Sequence, residues 1–153
     1  MRLHEHEAAR LFQQAGVPVA SFAVARTADE AVAALAKVEL PVVIKAQVLV
    51  GSRGKHGGIV MADTAEEVRA KTAALLGSSV RGFRVESVMI SKRASIAREL
   101  YAGVTVDAVA GAITVILGTA GGIDVETVAR ERPPRPRSHP HRVPGRWRPA
   151  SRS

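Results

Sequence analysis

The stretch that most restricts how this chain can fold is PVVIKAQVLVGSRGKHGGIVMA, residues 41–62. PVVIKA is a short apolar run rich in β-branched residues, too brief for a helix, and reads as a buried strand ending at Lys45. GGIVMA, residues 57–62, reads as a second strand. Between them the chain has room for a loop but not for a crossover helix, so the pair is not a βαβ unit. Residues 45–58 hold four glycines and the three cations Lys45, Arg53 and Lys55. Such a segment either wraps a phosphate or is a basic turn with solvated charges.

Two phosphate loops can be excluded by spacing. A Walker A loop needs a glycine where Leu49 stands and a Ser or Thr where His56 stands. The dinucleotide fingerprint needs Gly-x-Gly-x-x-Gly between a strand and a helix, whereas Gly51, Gly54, Gly57 and Gly58 are spaced otherwise and precede a strand. A glycine-rich hairpin folding over a polyphosphate remains open. Its bare amides would face the oxygens, Lys45 would point an ammonium at an inner phosphate, and Arg53 would add a planar fork. Spacing alone does not choose between that loop and a mobile basic tip.

The flanking text is mixed α/β. Leu3, Ala8, Leu11, Phe12 and Ala15 recur at helical spacing, and Gly16 and Pro18 end that helix. VASFAVA (19–25) reads as a strand. Thr27 with Glu30, and Thr64 with Glu67, form capping boxes opening helices to about Val38 and Leu76, the second stopped by Gly77. FRVESVMI (83–90), ELYAGVTVDAV (99–109) and AITVILGT (112–119) read as strands, the last two as a hairpin, and 118–129 as a turn leading into a helix. His4 and His6, two apart on the first helix, are expected to face different sides, which argues against a metal site there.

Charge divides the chain. Of the net +8, +7 falls in residues 130–153, which carry eight arginines against the single acid Glu131, with six of the eight prolines and the one tryptophan, Trp147. This tail has no periodicity and is expected to be disordered. Residues 1–129 are nearly neutral, so the basic pI argues little for nucleic-acid binding, and one Trp among eight arginines offers scant stacking. Arg-Pro-Gly-Ser text of this kind is also what a GC-rich gene yields out of frame, with the shift expected at about codon 130–134. No run of about 18 apolar residues suggests a membrane span, the amino terminus does not read as a secretory signal, and with no cysteine a cytoplasmic protein fits best.

Four separated segments, LHEHEAARLFQQAGVPV, VVIKAQVLVGSRGKHGG, IARELYAGVTVD and GGIDVETVA, stand in the order and spacing of one family. Over residues 1–130 the chain resembles the amino-terminal part of the β subunit of ADP-forming succinate–CoA ligase and its malate–CoA and acetate–CoA relatives. The resemblance implies an α/β ATP-grasp fold, of which residues 1–129 would be the first part, and ATP as ligand. By the same resemblance Lys45 contacts ATP phosphates. The family's Gly-Arg-Gly contact falls on Ser52, Arg53 and Gly54, where serine keeps the amide but adds a side chain. Glu99 is the nucleotide-contacting glutamate before Leu-Tyr, with a local ion pair to Arg98 or Arg84 as its alternative role. A second family glutamate falls on Ser91, and the adenine-hinge neighbour falls on Ala94. Losing a charged partner of that kind costs about 1.5–3 kcal/mol.

In that family ATP phosphorylates a histidine of a partner α subunit, the phosphate passes to the acid, and CoA displaces it. Magnesium is held by an asparagine and an aspartate of the second half of the domain, which no residue of this chain matches. The resemblance therefore implies an ATP-binding portion without independent ligase activity. A non-catalytic nucleotide- or partner-binding module and a nucleic-acid binder acting through the tail are the other two readings.

Overall fold

The computed structural model describes residues 2–107, 111–119 and 121. The chain divides into two units, Met1–Glu99 and Leu100–Ser153. In the first, the elements in order are α1 (Glu5–Gln14), β1 (Phe22–Ala25), α2 (Ala28–Ala33), β2 (Val42–Ala46), β3 (Ile59–Ala62), α3 (Ala65–Leu75), β4 (Ser79–Val80), β5 (Phe83–Arg84) and β6 (Val88–Lys92). Short 3₁₀ turns follow α2 at Ala34–Ala36 and open the approach to β3 at Gly54–His56.

A four-stranded sheet in the order β1-β6-β2-β3 carries this unit, and each neighbouring pair is antiparallel. Alternation along β2 decides what faces what. Val42, Ile44 and Ala46 are buried, as are Val88 and Ile90 on β6, Ala25 on β1 and Ala62 on β3. They share one core with Ala31, Val38, Val68 and Leu75 from the α2 and α3 regions. Val43 and Lys45 point to the opposite face, where the register sets Val43 beside Ser91 and Lys45 beside Met89.

Each helix begins where its cap directs. Thr27 Oγ1 accepts the Glu30 amide at 3.1 Å, and Thr64 Oγ1 the Glu67 amide at 3.2 Å. The glutamates reach one residue further back than a reciprocal box requires, accepting the amides of Arg26 and Asp63 at 2.7 and 2.8 Å. The helix expected to Val38 ends at Ala33 and tightens into the 3₁₀ turn.

The strand expected over 83–90 is two strands. Arg81 and Gly82 both have positive φ, 51° and 83°, the backbone of a two-residue hairpin turn, so Phe83–Arg84 fold back on Ser79–Val80 before β6 joins the sheet.

The described part of the second unit is a ribbon of β7 (Tyr101–Asp107) and β8 (Ala112–Gly118), antiparallel with Val104 opposite Val115. This is the hairpin expected from the sequence. The helix expected within 118–129 and the basic tail lie outside the described residues. No helix among the described residues is long and apolar enough to cross a membrane.

Candidate functional site

The end of β2 and the loop after it converge on the first turn of α1. Lys45 Nζ donates to Glu5 Oε1 at 2.8 Å, and Arg53 Nη2 to Glu5 Oε2 at 2.6 Å. Arg53 uses its other terminal nitrogen as well, Nη1 donating to the Ala46 carbonyl at 2.8 Å, which ties the loop back to the strand it leaves. One carboxylate thus engages both cations, and all three side chains are partly buried. Burial raises the Glu5 carboxyl, but hydrogen bonds and charge from Lys45 and Arg53 more than reverse this and hold it below its ordinary value of 4.5.

The next residues of the helix and strand repeat the connection. The His6 amide lies 3.1 Å from Gln47 Oε1 and the ring Nδ1 lies 2.9 Å from the same oxygen, a second donor when that nitrogen is protonated. Gln47, itself buried, donates to the Lys45 carbonyl at 3.1 Å. His4 and His6 do not face apart. Their rings stack with centroids 5.7 Å apart, because His4 is the N-cap, with extended backbone, and so lies off the helical periodicity. Among the described residues no group of three or more His, Cys, Asp or Glu could hold a metal ion.

The loop shows why its glycines are where they are. Gly57 takes φ 73° to end the 3₁₀ turn. A Cβ on Gly58 would come within 3.2 Å of Arg53 Cβ and carbonyl oxygen and 3.3 Å of Val80 Cγ1, so the chain closes tightly there. Ser52 stands at φ 58°, a left-handed conformation that suits glycine. A glycine, which the resemblance leads one to expect at this position, would adopt that backbone without strain, so serine there has a conformational cost as well as an added side chain. Arg53 caps the 3₁₀ turn that Gly54 opens.

A cavity of about 510 Å³ adjoins these groups, lined by Arg2, Leu3, Glu5, Gly51, Arg53 and residues 48–50. Of the residues expected at a nucleotide site, Arg53 lines it, Lys45 is joined to Arg53 through Glu5, and Ser52 and Gly54 flank Arg53 in the loop. Ser91 lies on the same face of the sheet as Lys45, buried at the next-but-one position of the neighbouring strand. Ala94 and Glu99 are exposed in the irregular segment after β6, and Glu99 forms no ion pair with Arg98 or Arg84. Glu5 was not among the expected residues, since nothing local in LHEHEAAR signals a partner 40 or 48 positions away.

An aliphatic core beneath a sheet whose other face bears Lys45, with a glycine loop folded beside it, has counterparts. The model of the ATP-grasp domain family matches residues 2–138, and the chain belongs to that family. Within it, the chain is 41% identical over 133 residues to the β subunit of ADP-forming succinate–CoA ligase of Halobacterium salinarum, and 42% identical over the same length to that of the GDP-forming enzyme of Thermus thermophilus. Each alignment covers 87% of this chain and 35% of the relative, so the chain spans about a third of the length of the curated relatives it matches. Among solved structures, the dinucleotide-forming acetyl-coenzyme A synthetase of Ca. Korarchaeum cryptofilum, in complex with coenzyme A, Ca-AMPCP and HgCl+, superposes with a TM-score of 0.69 at 28% identity, over 78% of this chain and 54% of that one. Phosphoribosylamine–glycine ligase of Thermotoga maritima shares the fold at a TM-score of 0.53 and 25% identity, over 74% of this chain and 27% of that one.

Proposed function

We propose that the chain is the ATP-phosphate-binding part of an acid–CoA ligase β subunit of the succinate–CoA type, acting with an α subunit and not carrying out ligation alone. The observation that carries this reading is the meeting of Lys45 and Arg53 at 2.8 and 2.6 Å on one carboxylate, beside an open cavity and a glycine loop. Two cations gathered on an oxygen pair are arranged as an anion site, and the loop's glycines let amides approach further oxygens. The donor set fits a polyphosphate. No residue is assigned to magnesium, and no step is routed through it.

Under this reading Lys45 and Arg53 take phosphate oxygens. The Ser52 and Gly54 amides lie along the same chain of oxygens, and Glu99, Ala94 and Ser91 belong to the nucleoside end. Ser91 in place of a glutamate weakens that end. The nucleotide-binding part ends near residue 129, and the Arg/Pro-rich remainder contributes nothing to it. The site of action is the cytoplasm, in central acid–CoA metabolism.

The test is calorimetric titration of the full 153-residue chain with ADP and ATP. Saturable binding is expected, with Lys45→Ala weakening it about 10- to 100-fold through loss of a charge-assisted hydrogen bond, while circular dichroism is unchanged. Absence of saturable binding by the native chain refutes the proposal.

A further inference from the structure

The cations that would hold phosphate are already engaged, and the group that engages them comes from a distant part of the chain. Glu5 is the first residue of α1, while Lys45 is the penultimate residue of β2 and Arg53 sits in the glycine loop. Both carboxylate oxygens are used, one on each cation, at charge-assisted hydrogen-bond distances of 2.8 and 2.6 Å. The neighbouring His6–Gln47 contacts fix the same helix turn to the same strand end, so Glu5 is delivered by a braced element and not by a free side chain.

A carboxylate between an ammonium and a guanidinium has the charge sign, the oxygen pair and the position of an incoming phosphate group. We infer that Glu5 is the resident counter-ion of the phosphate site: it keeps Lys45 and Arg53 assembled while the site is empty, and an arriving phosphate chain displaces it. The inference rests on the proposed phosphate-binding reading. Its physical basis is that a phosphate close enough to bond both cations must lie within a few ångströms of the Glu5 oxygens, where like charges in a partly buried setting repel strongly. Glu5 therefore opposes binding even as it orders the cations. Against burial, which raises the Glu5 carboxyl, Lys45 and Arg53 hold it below its ordinary value, as cations that favour an anion at that point would.

The experiment compares the native full-length chain with Glu5→Gln, which keeps the shape and removes the charge, using ADP, inorganic tripolyphosphate and adenosine as probes. Glu5→Gln should bind ADP and tripolyphosphate about tenfold more tightly, by a similar factor for both, with adenosine unaffected. A structural role alone would not sort the probes by phosphate content. In the native chain, carbon-13 NMR of the Glu5 carboxyl adds a reading that needs no variant: its titration should move upward when tripolyphosphate saturates the site, as the cations are withdrawn. Weaker or unchanged phosphate binding by Glu5→Gln, or a Glu5 titration indifferent to tripolyphosphate, overturns the inference while leaving phosphate binding itself intact. If the variant does not fold, the NMR reading decides. If the native chain binds neither ADP nor tripolyphosphate, the functional reading falls, and this inference with it.

Discussion

The four-stranded sheet and the β7–β8 ribbon use the same kinds of residue to opposite ends. In the sheet, alternation sends Val42, Ile44, Val88 and Ile90 into a core closed by α2 and α3, and Ile44 and Ile90 are 0% exposed. In the ribbon, the paired register lines up Ala102 with Leu117, Val104 with Val115 and Val106 with Ile113 on one face. Val104 and Leu117 there are 72% and 77% exposed. β-branched, alternating sequence forms a strand pair in both places. Only where a second layer covers the apolar face does it form a core. The ribbon thus shows that a strand pattern reports pairing and one-sidedness, and does not report whether the apolar side is covered.

The sharpest way to break this comparison is to cut the same kind of side chain in each region. Ile90→Ala should cost about 2–5 kcal/mol, since it leaves a cavity between β6 and the helices, and urea unfolding followed by circular dichroism would measure it. A loss below about 1 kcal/mol would mean that the sheet is no better packed than the ribbon, and the contrast would disappear.

The strands on both sides of this contrast could be read from the residues alone, their coverage could not, and the failures have specific causes. PVVIKA and GGIVMA were legible as adjacent strands because little but a glycine loop separates them, and the ribbon because its runs are divided by a short Gly-containing turn. Phe83–Arg84 were misassigned to β6 because a two-residue turn at Arg81–Gly82 carries a weaker signal than the apolar run that spans it. Lys45, Arg53 and the glycines were found through their sequence neighbourhood. Glu5 was missed for the complementary reason: its role depends on a helix end meeting a strand end, a tertiary contact that propensity and spacing do not encode. The stacking of His4 on His6 was missed because helical periodicity was extended one residue into a cap.

Within the sheet unit the glycine loop holds a non-glycine residue in the left-handed region, and Ser52 tests what that costs. A non-glycine residue at φ 58° is strained by about 1 kcal/mol or more. Ser52→Gly should relieve most of that, offset in part by the greater freedom glycine adds to the unfolded chain, so a net gain of about 0.5–1 kcal/mol is expected in the same unfolding measurement. No gain would mean that the serine's own contacts compensate for the backbone, which the interaction of its carbonyl with His56 Nδ1 at 2.9 Å does not by itself provide, since glycine would keep it.

The smallest effect on stability is expected in the ribbon, where it is the most informative. Val104→Thr with Val115→Thr keeps β-branching, and hence strand preference, while making a directly opposed pair on the apolar face polar. Because both side chains are largely exposed, the double variant should unfold within about 0.5 kcal/mol of the native chain. Self-association should fall, however, since an apolar ribbon face exposed to water is a surface for association, and sedimentation velocity across a concentration series would register the change. A stability loss near that of Ile90→Ala would place these valines in a packed interior, and the two regions would then differ in topology without differing in burial.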